Sequence, residues 1–293
     1  MVAKRVVVVF KPIEPDDRLV ASRALDAPPT EPADPALDAI AARRALARSE
    51  HAASVEAVRL AVNADGLDAV VTDTVTSELV ADADLVIAVG GDGTFLHVAR
   101  LLEDQPLLGV NSAPSTSQGH YCAATSETLG GWLEAGLDGG ESSALTRISV
   151  TVDDRPLPYM ALNDVLFANV SPAASTRYAL RVGEVAELQL SSGIWIATAS
   201  GSSAAISSAG GDLMAADDER LQFLVREPCA DRDGGPHLRH GYSDAITLVS
   251  RSDHNALYFD GHHRAWPTPL GTLTRLSPAP RPLRVVGYPG ARP

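Results

Sequence analysis

Basic residues are scarce in this 293-residue chain: 24 Lys and Arg stand against 37 Asp and Glu, for a formal net charge of −13. Nucleic acid demands a basic face, so no nucleic-acid partner is expected. An anionic nucleotide is still admissible, because backbone N–H groups and a bound metal can hold phosphate. Cysteine is nearly absent. Cys122 and Cys229 lie far apart and allow one disulfide at most, so a reduced, cytoplasmic protein is expected. With aromatics at only 5%, the core has to be built from Val, Leu, Ile and Ala. Long apolar runs are missing as well. The run from Val6 to Phe10 is too short for a membrane span or a secretory core segment, which leaves a first strand and no membrane partner. No G-x-S-x-G elbow appears, so a serine hydrolase has no support.

What the chain does have is concentrated between Asp84 and Glu103. Leu85 to Val89 is short, β-branched and without polar alternation, the pattern of a buried parallel strand. It breaks at Gly90-Gly91-Asp92-Gly93, and an amphipathic helix is expected from about Thr94, with Phe95, Val98, Leu101 and Leu102 at helical spacing. Glycines that join a strand to a helix offer backbone N–H groups to an anion, and the helix dipole adds to the attraction. The sequence matches neither the dinucleotide fingerprint nor the phosphate loop ending in Gly-Lys-Ser/Thr. Its distinguishing feature is a carboxylate inside the turn. Asp92 repels a bare phosphate but suits a hydroxyl proton or a metal that the phosphate carries.

Around this stretch the chain alternates. A strand from Lys4 to Phe10 is followed by a Pro-rich loop over 11–33, then by a helix from the Asp34-Pro35 start to about Asn63, with a break near Ser49. Short strands follow at Asp68 to Thr72 and Pro106 to Val110, with a short helix or turn at Ser77 to Ala81. Residues 111–124 read as a polar loop, and Ser126 as the cap of a helix through Leu137 closed by Gly139-Gly140. This order implies an open, mainly parallel α/β sheet of Rossmann-like character over residues 1–143, which binds ligands at the carboxyl ends of its strands. Asp92 and Asn111 fall at such ends.

From Arg147 the apolar period drops to two, the mark of half-exposed antiparallel strands. Strands are expected at Arg147 to Val152, Tyr159 to Val170, Tyr178 to Val182, Val185 to Leu190, Ile194 to Thr198, Leu221 to Val225, Ala245 to Val249, Ala256 to Phe259 and Gly271 to Leu276. Residues 144–276 are thus a β-rich, sandwich-like domain, and 277–293 a tail that returns to the first domain. Polar clusters interrupt the pattern. Asn163-Asp164 suits a ribose diol, since the carboxylate accepts from two hydroxyls while the amide donates and accepts; read alone, an Asn-Asp turn is the favoured reading. The segment from Ser191 to Gly211 runs from a strand into a hydroxyl-rich loop and a helix of small residues, a second arrangement able to hold phosphate. Asp260-Gly261 is a hairpin signal, and His262-His263 lacks the neighbours that zinc requires.

Together Gly90-Gly-Asp-Gly-Thr94, Asn163-Asp164, the Ser192 to Gly211 segment and Asp260-Gly261, in this order and at these intervals, resemble the NAD kinase family over nearly the whole chain. The first motif is shared with diacylglycerol and sphingosine kinases, whereas the combination is specific. Ala161 to Val165, Ser191 to Gly193, Ser200 to Ser202, Ser207 to Gly211 and Val225 to Pro228 look like the plant-type NADH kinase branch in particular.

The resemblance implies an α/β domain and a β-rich domain with NAD or NADH bound between them, ATP with Mg2+ as donor, and a homodimer or homotetramer. By motif match Asp92 is the base for the ribose 2′-hydroxyl with Gly93 beside it, and Gly91, Gly93 and Thr94 are cofactor-binding. Asn163 and Asp164 hold a ribose or the nicotinamide end, and Tyr121 packs on a base. Ser192, Ser200, Ser203, Ala204 and Ser208 line the ligand, and Asp260 is a late acidic residue near the site. No metal is held by protein side chains alone, Asp92 being the one candidate. Asp164 stands where much of the family has Glu, Ser192 replaces a common Asp and Ala205 a common Tyr. Losing acidic character there weakens any preference for the positively charged, oxidised coenzyme. There are two rival functions: a lipid kinase on the same scaffold, which shares the glycine-rich motif but is opposed by the Asn163-Asp164 and Ser200 segments, and a sensor that binds NAD(H) without turnover.

Overall fold

A computed structural model describes residues 4–12, 35–64, 66–134, 141–229, 237–288 and 290. The chain forms two compact units. Among the described residues, the first takes those up to Val98, then Gln105–Ser142 and 286–288; the second takes Ala99–Asp104, Ser143–Val285 and Gly290. The junction between Ser142 and Ser143 lies a few residues before Arg147, from which the apolar period is two. Of the tail placed at 277–293, only 286–288 lies with the first unit among the described residues.

The first unit is an α/β layer built on parallel strands β1 (Arg5–Phe10), β2 (Asp68–Thr72), β3 (Leu85–Gly90), β4 (Leu107–Asn111) and β5 (Cys122–Thr125). They run in the order β2-β1-β3-β4, with β5 paired beside β4, all parallel. Every residue of β3 and β4 is buried, as expected of strands without polar alternation. The helices are α1 (Pro35–Ala64), α2 (Ser77–Val80), α3 (Asp92–Ala99) and α4 (Leu129–Glu134). In α1, Val55, Val58 and Val62 share one face through their spacing of three and four and pack with Val6, Val8, Leu85, Ile87 and Val89.

Several local expectations are corrected. α1 is unbroken at Ser49; its Asp34 cap and most of the 11–33 loop lie outside the described residues. The stretch 111–124 is not wholly loop, because Cys122–Thr125 adds a strand beside β4. Ser126 caps no helix: the Thr125 N–H donates to Thr128 Oγ1 at 2.9 Å and closes a turn, and α4 starts at Leu129. Leu137 and Gly139-Gly140 lie outside the described residues.

The second unit is a sandwich of two antiparallel six-stranded sheets. One runs β11-β10-β15-β18-β7-β8 and the other β14-β13-β12-β9-β16-β17. The strands, with β6 (Ser142–Leu145) and β19 (Leu283–Val286) lying where the chain passes from one unit to the other, are β7 (Ile148–Val152), β8 (Arg155–Pro156), β9 (Asp164–Asn169), β10 (Thr176–Val182), β11 (Val185–Ser191), β12 (Gly193–Ala197), β13 (Leu221–Arg226), β14 (His240–Ser243), β15 (Ile246–Ser250), β16 (Asn255–Phe259), β17 (Ala265–Pro267) and β18 (Leu273–Pro278). The inward-facing alternate residues, among them Ile148, Tyr178 and Leu248 from one sheet and Phe167, Ile196 and Phe259 from the other, make one core. A short helix, α5 (Ala205–Ser208), follows β12. The strand expected over Tyr159 to Val170 begins only at Asp164.

Arg147 is fully buried in this unit, and burial lowers its pKa to about 10. Its guanidinium donates to the carbonyls of Leu102 at 2.6 Å, Glu103 at 2.9 Å and Arg281 at 2.9 Å. Segments distant in sequence, 99–104 and 279–281, are thereby tied to β7.

Candidate functional site

In the first unit the carboxylate of the glycine turn sits where a strand becomes a helix. Gly90 ends β3 and Asp92 is the first residue of α3, two residues earlier than the apolar spacing suggested. The Gly91 carbonyl accepts from the N–H groups of Thr94 at 3.0 Å and Phe95 at 3.2 Å, which closes the first helical turn. A Cβ on Gly90 would collide with the Thr94 side chain, so that residue has no room for anything larger. Asp92 is half-buried, and its Oδ1 accepts from the Tyr121 N–H at 2.9 Å.

The polar loop after β4 carries that donor into place. Asn111 Nδ2 donates to the Ser117 carbonyl at 2.9 Å, while its Oδ1 accepts from the Ala113 N–H at 3.2 Å. Gly119, at φ +58°, passes so close to the Asn111 amide that a Cβ would lie 2.7 Å from Nδ2. His51, from the middle of α1, bridges Ser112 Oγ at 2.8 Å and the Lys11 carbonyl at 2.8 Å, and burial lowers its pKa. Burial and the Asp92 charge raise the neighbouring Cys122 thiol to about 12, which removes it as a nucleophile.

Tyr121 is not an open platform. It is 1% exposed, stacked on Phe95 with ring centres 4.9 Å apart and on Tyr288 at 5.7 Å. The expectation that its ring packs on a base is therefore corrected: both faces are taken by protein, and what it presents to Asp92 is its backbone N–H.

In the second unit the Asn163-Asp164 pair is a turn at the start of β9, and Asp260 makes it. The Asp260 carboxylate accepts from the N–H groups of Leu162 at 3.1 Å, Asn163 at 2.7 Å and Asp164 at 3.3 Å. Its own N–H donates to the Asp164 carbonyl at 3.0 Å. An acidic residue expected at the ligand is thus spent on backbone. Asp164 is 4% exposed, and burial together with the Asp260 charge pushes its pKa up to about 7. Two buried carboxyls this close disfavour ionising both. Arg100, buried in the 99–104 segment of this unit, is the opposing charge on Asp260.

The hydroxyl loop leans on the same turn. Thr198 Oγ1 donates to the Leu162 carbonyl at 2.6 Å and accepts from the Gly201 N–H at 3.1 Å; Ser200 Oγ also donates to Leu162, at 3.3 Å. Gly201 lies against Asn163 so closely that a Cβ would enter its carbonyl. Ser200 is buried, whereas Ser203 and Ser208 are exposed and Ala204 is half-buried. Ser192 lines a cavity of about 380 Å³ with Leu166, Trp195, Arg226, Tyr258, Gly261 and His262. Among the described residues no three His, Cys, Asp or Glu side chains gather as a metal site.

Sequence reading missed Thr198, Arg100 and Tyr288. A charged residue in the apolar run Val98-Ala-Arg-Leu-Leu102 was a usable signal for the second. For Tyr288, carried by a Gly-Tyr-Pro-Gly segment after the last strand, nothing local pointed to the Asp92 turn.

The family model described as the ATP-NAD kinase N-terminal domain matches residues 37–140. A "Probable NADH kinase" of Oryza sativa subsp. japonica is 40% identical over 213 residues, 64% of this chain and 66% of that protein, so the chain spans just under two thirds of its length. An NADH kinase of Arabidopsis thaliana is 36% identical over 69% of this chain and 72% of its own, and an NAD kinase of Natronomonas pharaonis 33% over 77% and 83%. The chain belongs to the NAD kinase family. The fold agrees with that of solved NAD kinases. The NAD kinase of Archaeoglobus fulgidus, solved with ATP, superposes at a TM-score of 0.67 over 96% of this chain and 93% of its own, at 20% identity. Yeast NADH kinase, solved with NADH, gives 0.70 over 97% and 83%, at 14% identity.

Proposed function

We propose that the chain is an ATP-dependent NAD(H) kinase, which transfers the γ-phosphate of ATP to the 2′-hydroxyl of the adenosine ribose of NAD or NADH, with Asp92 as general base. The observation that carries the reading is the Asp92 carboxylate at a Gly-rich strand-to-helix turn, oriented through one oxygen by the Tyr121 N–H. The other oxygen accepts the hydroxyl proton as the 2′-oxygen forms its bond to phosphorus and the bond from the γ-phosphorus to ADP breaks. Such transfers depend on alignment and charge stabilisation and need no covalent nucleophile. Magnesium enters as part of the substrate, MgATP. Gly91, Gly93 and Thr94 carry the phosphates, and Asn163 with Asp164 holds a ribose or the nicotinamide end. Asp260 serves as a positioning residue for that turn. The plant and archaeal relatives favour this reading over a lipid kinase on the same scaffold.

The test is an assay of the purified protein with MgATP and either NAD or NADH, in which NADPH formation is read through a coupled dehydrogenase. Turnover of both coenzymes is expected; none would leave the sensor reading in its place. Asp92→Asn should keep the melting temperature and lose most turnover. Retained activity within about tenfold, roughly 1.4 kcal/mol of barrier, would overturn the assignment of the base.

A further inference from the structure

Three rings lie in a row in the first unit. Phe95 stacks on Tyr121 with 6° between the ring planes, and Tyr288 also stacks on Tyr121, at 22°. Phe95 belongs to α3, three residues after Asp92. The helix therefore grips Tyr121 twice, through the Asp92 carboxylate on its N–H and through the Phe95 ring on its ring. Tyr288 closes the third side from the far end of the chain.

The chain arrives there through a built turn. Gly287 adopts φ +63°, and a Cβ on it would strike the Trp132 ring and come within 2.9 Å of Ala123 Cβ. Its N–H donates to the Glu141 carbonyl at 2.8 Å. Only glycine combines that backbone conformation with that approach. Beyond it, Tyr288 Oη and His120 Nε2 are 3.2 Å apart, and His120 meets Tyr121 edge-on at 5.0 Å. Burial and the nearby Asp92 charge raise the Tyr288 hydroxyl above its ordinary value, so it stays a neutral hydrogen-bonding group.

We propose that Tyr288 is a positioning residue for phosphoryl transfer: by clamping the Tyr121 ring against Phe95 it fixes the N–H that orients the Asp92 carboxylate. This rests on the kinase reading. Loss of the clamp leaves the base present but mis-aimed. Misplacement on the order of 1 Å is enough to cost turnover heavily without much effect on binding.

Tyr288→Ala, Tyr288→Leu and Tyr288→Phe separate the contributions. The Ala and Leu variants should lower kcat by about tenfold or more while KM for MgATP and NAD(H) moves by less than about threefold, as expected for an alignment defect. The Phe variant keeps the stack and should stay within about twofold of the original kcat. Hydrogen exchange at the Tyr121 amide gives a readout that needs no turnover: its protection should fall in the Ala and Leu variants and persist in the Phe variant. The Leu variant, which keeps most of the apolar volume, decides the matter if the Ala variant does not fold. A Phe variant as impaired as Ala would overturn the stacking role in favour of the hydroxyl. Unchanged kcat in Ala and Leu, or lowered kcat with Tyr121 protection intact, would overturn the proposal. If the unaltered protein transfers no phosphate, the kinase reading falls, and amide exchange alone still decides whether Tyr288 holds the Tyr121 N–H.

Discussion

Asp260 and Asp164 show how two carboxyls of similar appearance in sequence take different tasks. Burial raises the pKa of Asp260, and the three N–H groups it gathers, together with the Arg100 charge, oppose that rise. Asp164 has burial and a like charge against it, and its pKa rises from 3.8 to about 7. A carboxyl whose folded pKa is raised contributes stability that is complete below its unfolded value and is lost as pH climbs through the folded one. Asp164→Asn should therefore gain on the original chain as pH rises from 5 to 8. Melting curves across that range should show the two diverging by several degrees, in favour of the variant at the alkaline end. Parallel melting temperatures at all pH values would contradict the assignment. At this scale the sequence showed the residue types and their order. That Asp260 binds the backbone N–H groups of Leu162, Asn163 and Asp164 depends on a turn 96 residues upstream, which no local pattern predicts.

Elements were legible where apolar period and glycine punctuation agree. β3, β4 and the alternating strands of the sandwich follow from that period, since a strand buried on both faces has no polar positions and one buried on one face has every second. β5 was not legible, because Cys122–Thr125 is four small or polar residues whose strand character comes from pairing with β4. Gly109, in the middle of β4, records how close that pairing is. A Cβ there would lie 2.6 Å from the Tyr121 carbonyl, 2.9 Å from Cys122 Cα and 3.0 Å from Phe95. Backbone cannot yield as a side chain does, so Gly109→Ala should cost about 1–3 kcal/mol in urea unfolding, the usual range for overpacking. A loss below about 0.5 kcal/mol, the scale of a neutral surface change, would mean that β5 can shift away.

For the whole molecule, Arg147 has the widest reach. Three backbone carbonyls from two segments more than 40 residues away depend on its guanidinium. Arg147→Met removes the charge and keeps much of the volume, but leaves those acceptors unpaired. The expected destabilisation is about 3 kcal/mol or more, measured as a lower urea midpoint, and a variant as stable as the original chain would show that water replaces the guanidinium. Among the described residues no helix is long and apolar enough to cross a membrane.

The sequence by itself determined the α/β and sandwich classes, the Gly-rich turn around Asp92 and membership of the NAD kinase family. Each is written in local period, in residue type or in ordered motifs. Tertiary structure alone decided that Asp92 takes its orientation from the Tyr121 N–H, that Asp260 shapes the Asn163-Asp164 turn, and that Tyr288 returns to the ring stack. These contacts join residues 29, 97 and 167 positions apart. They are fixed by strand order and by approaches of a few ångströms at Gly109, Gly201 and Gly287, which a one-dimensional pattern does not carry.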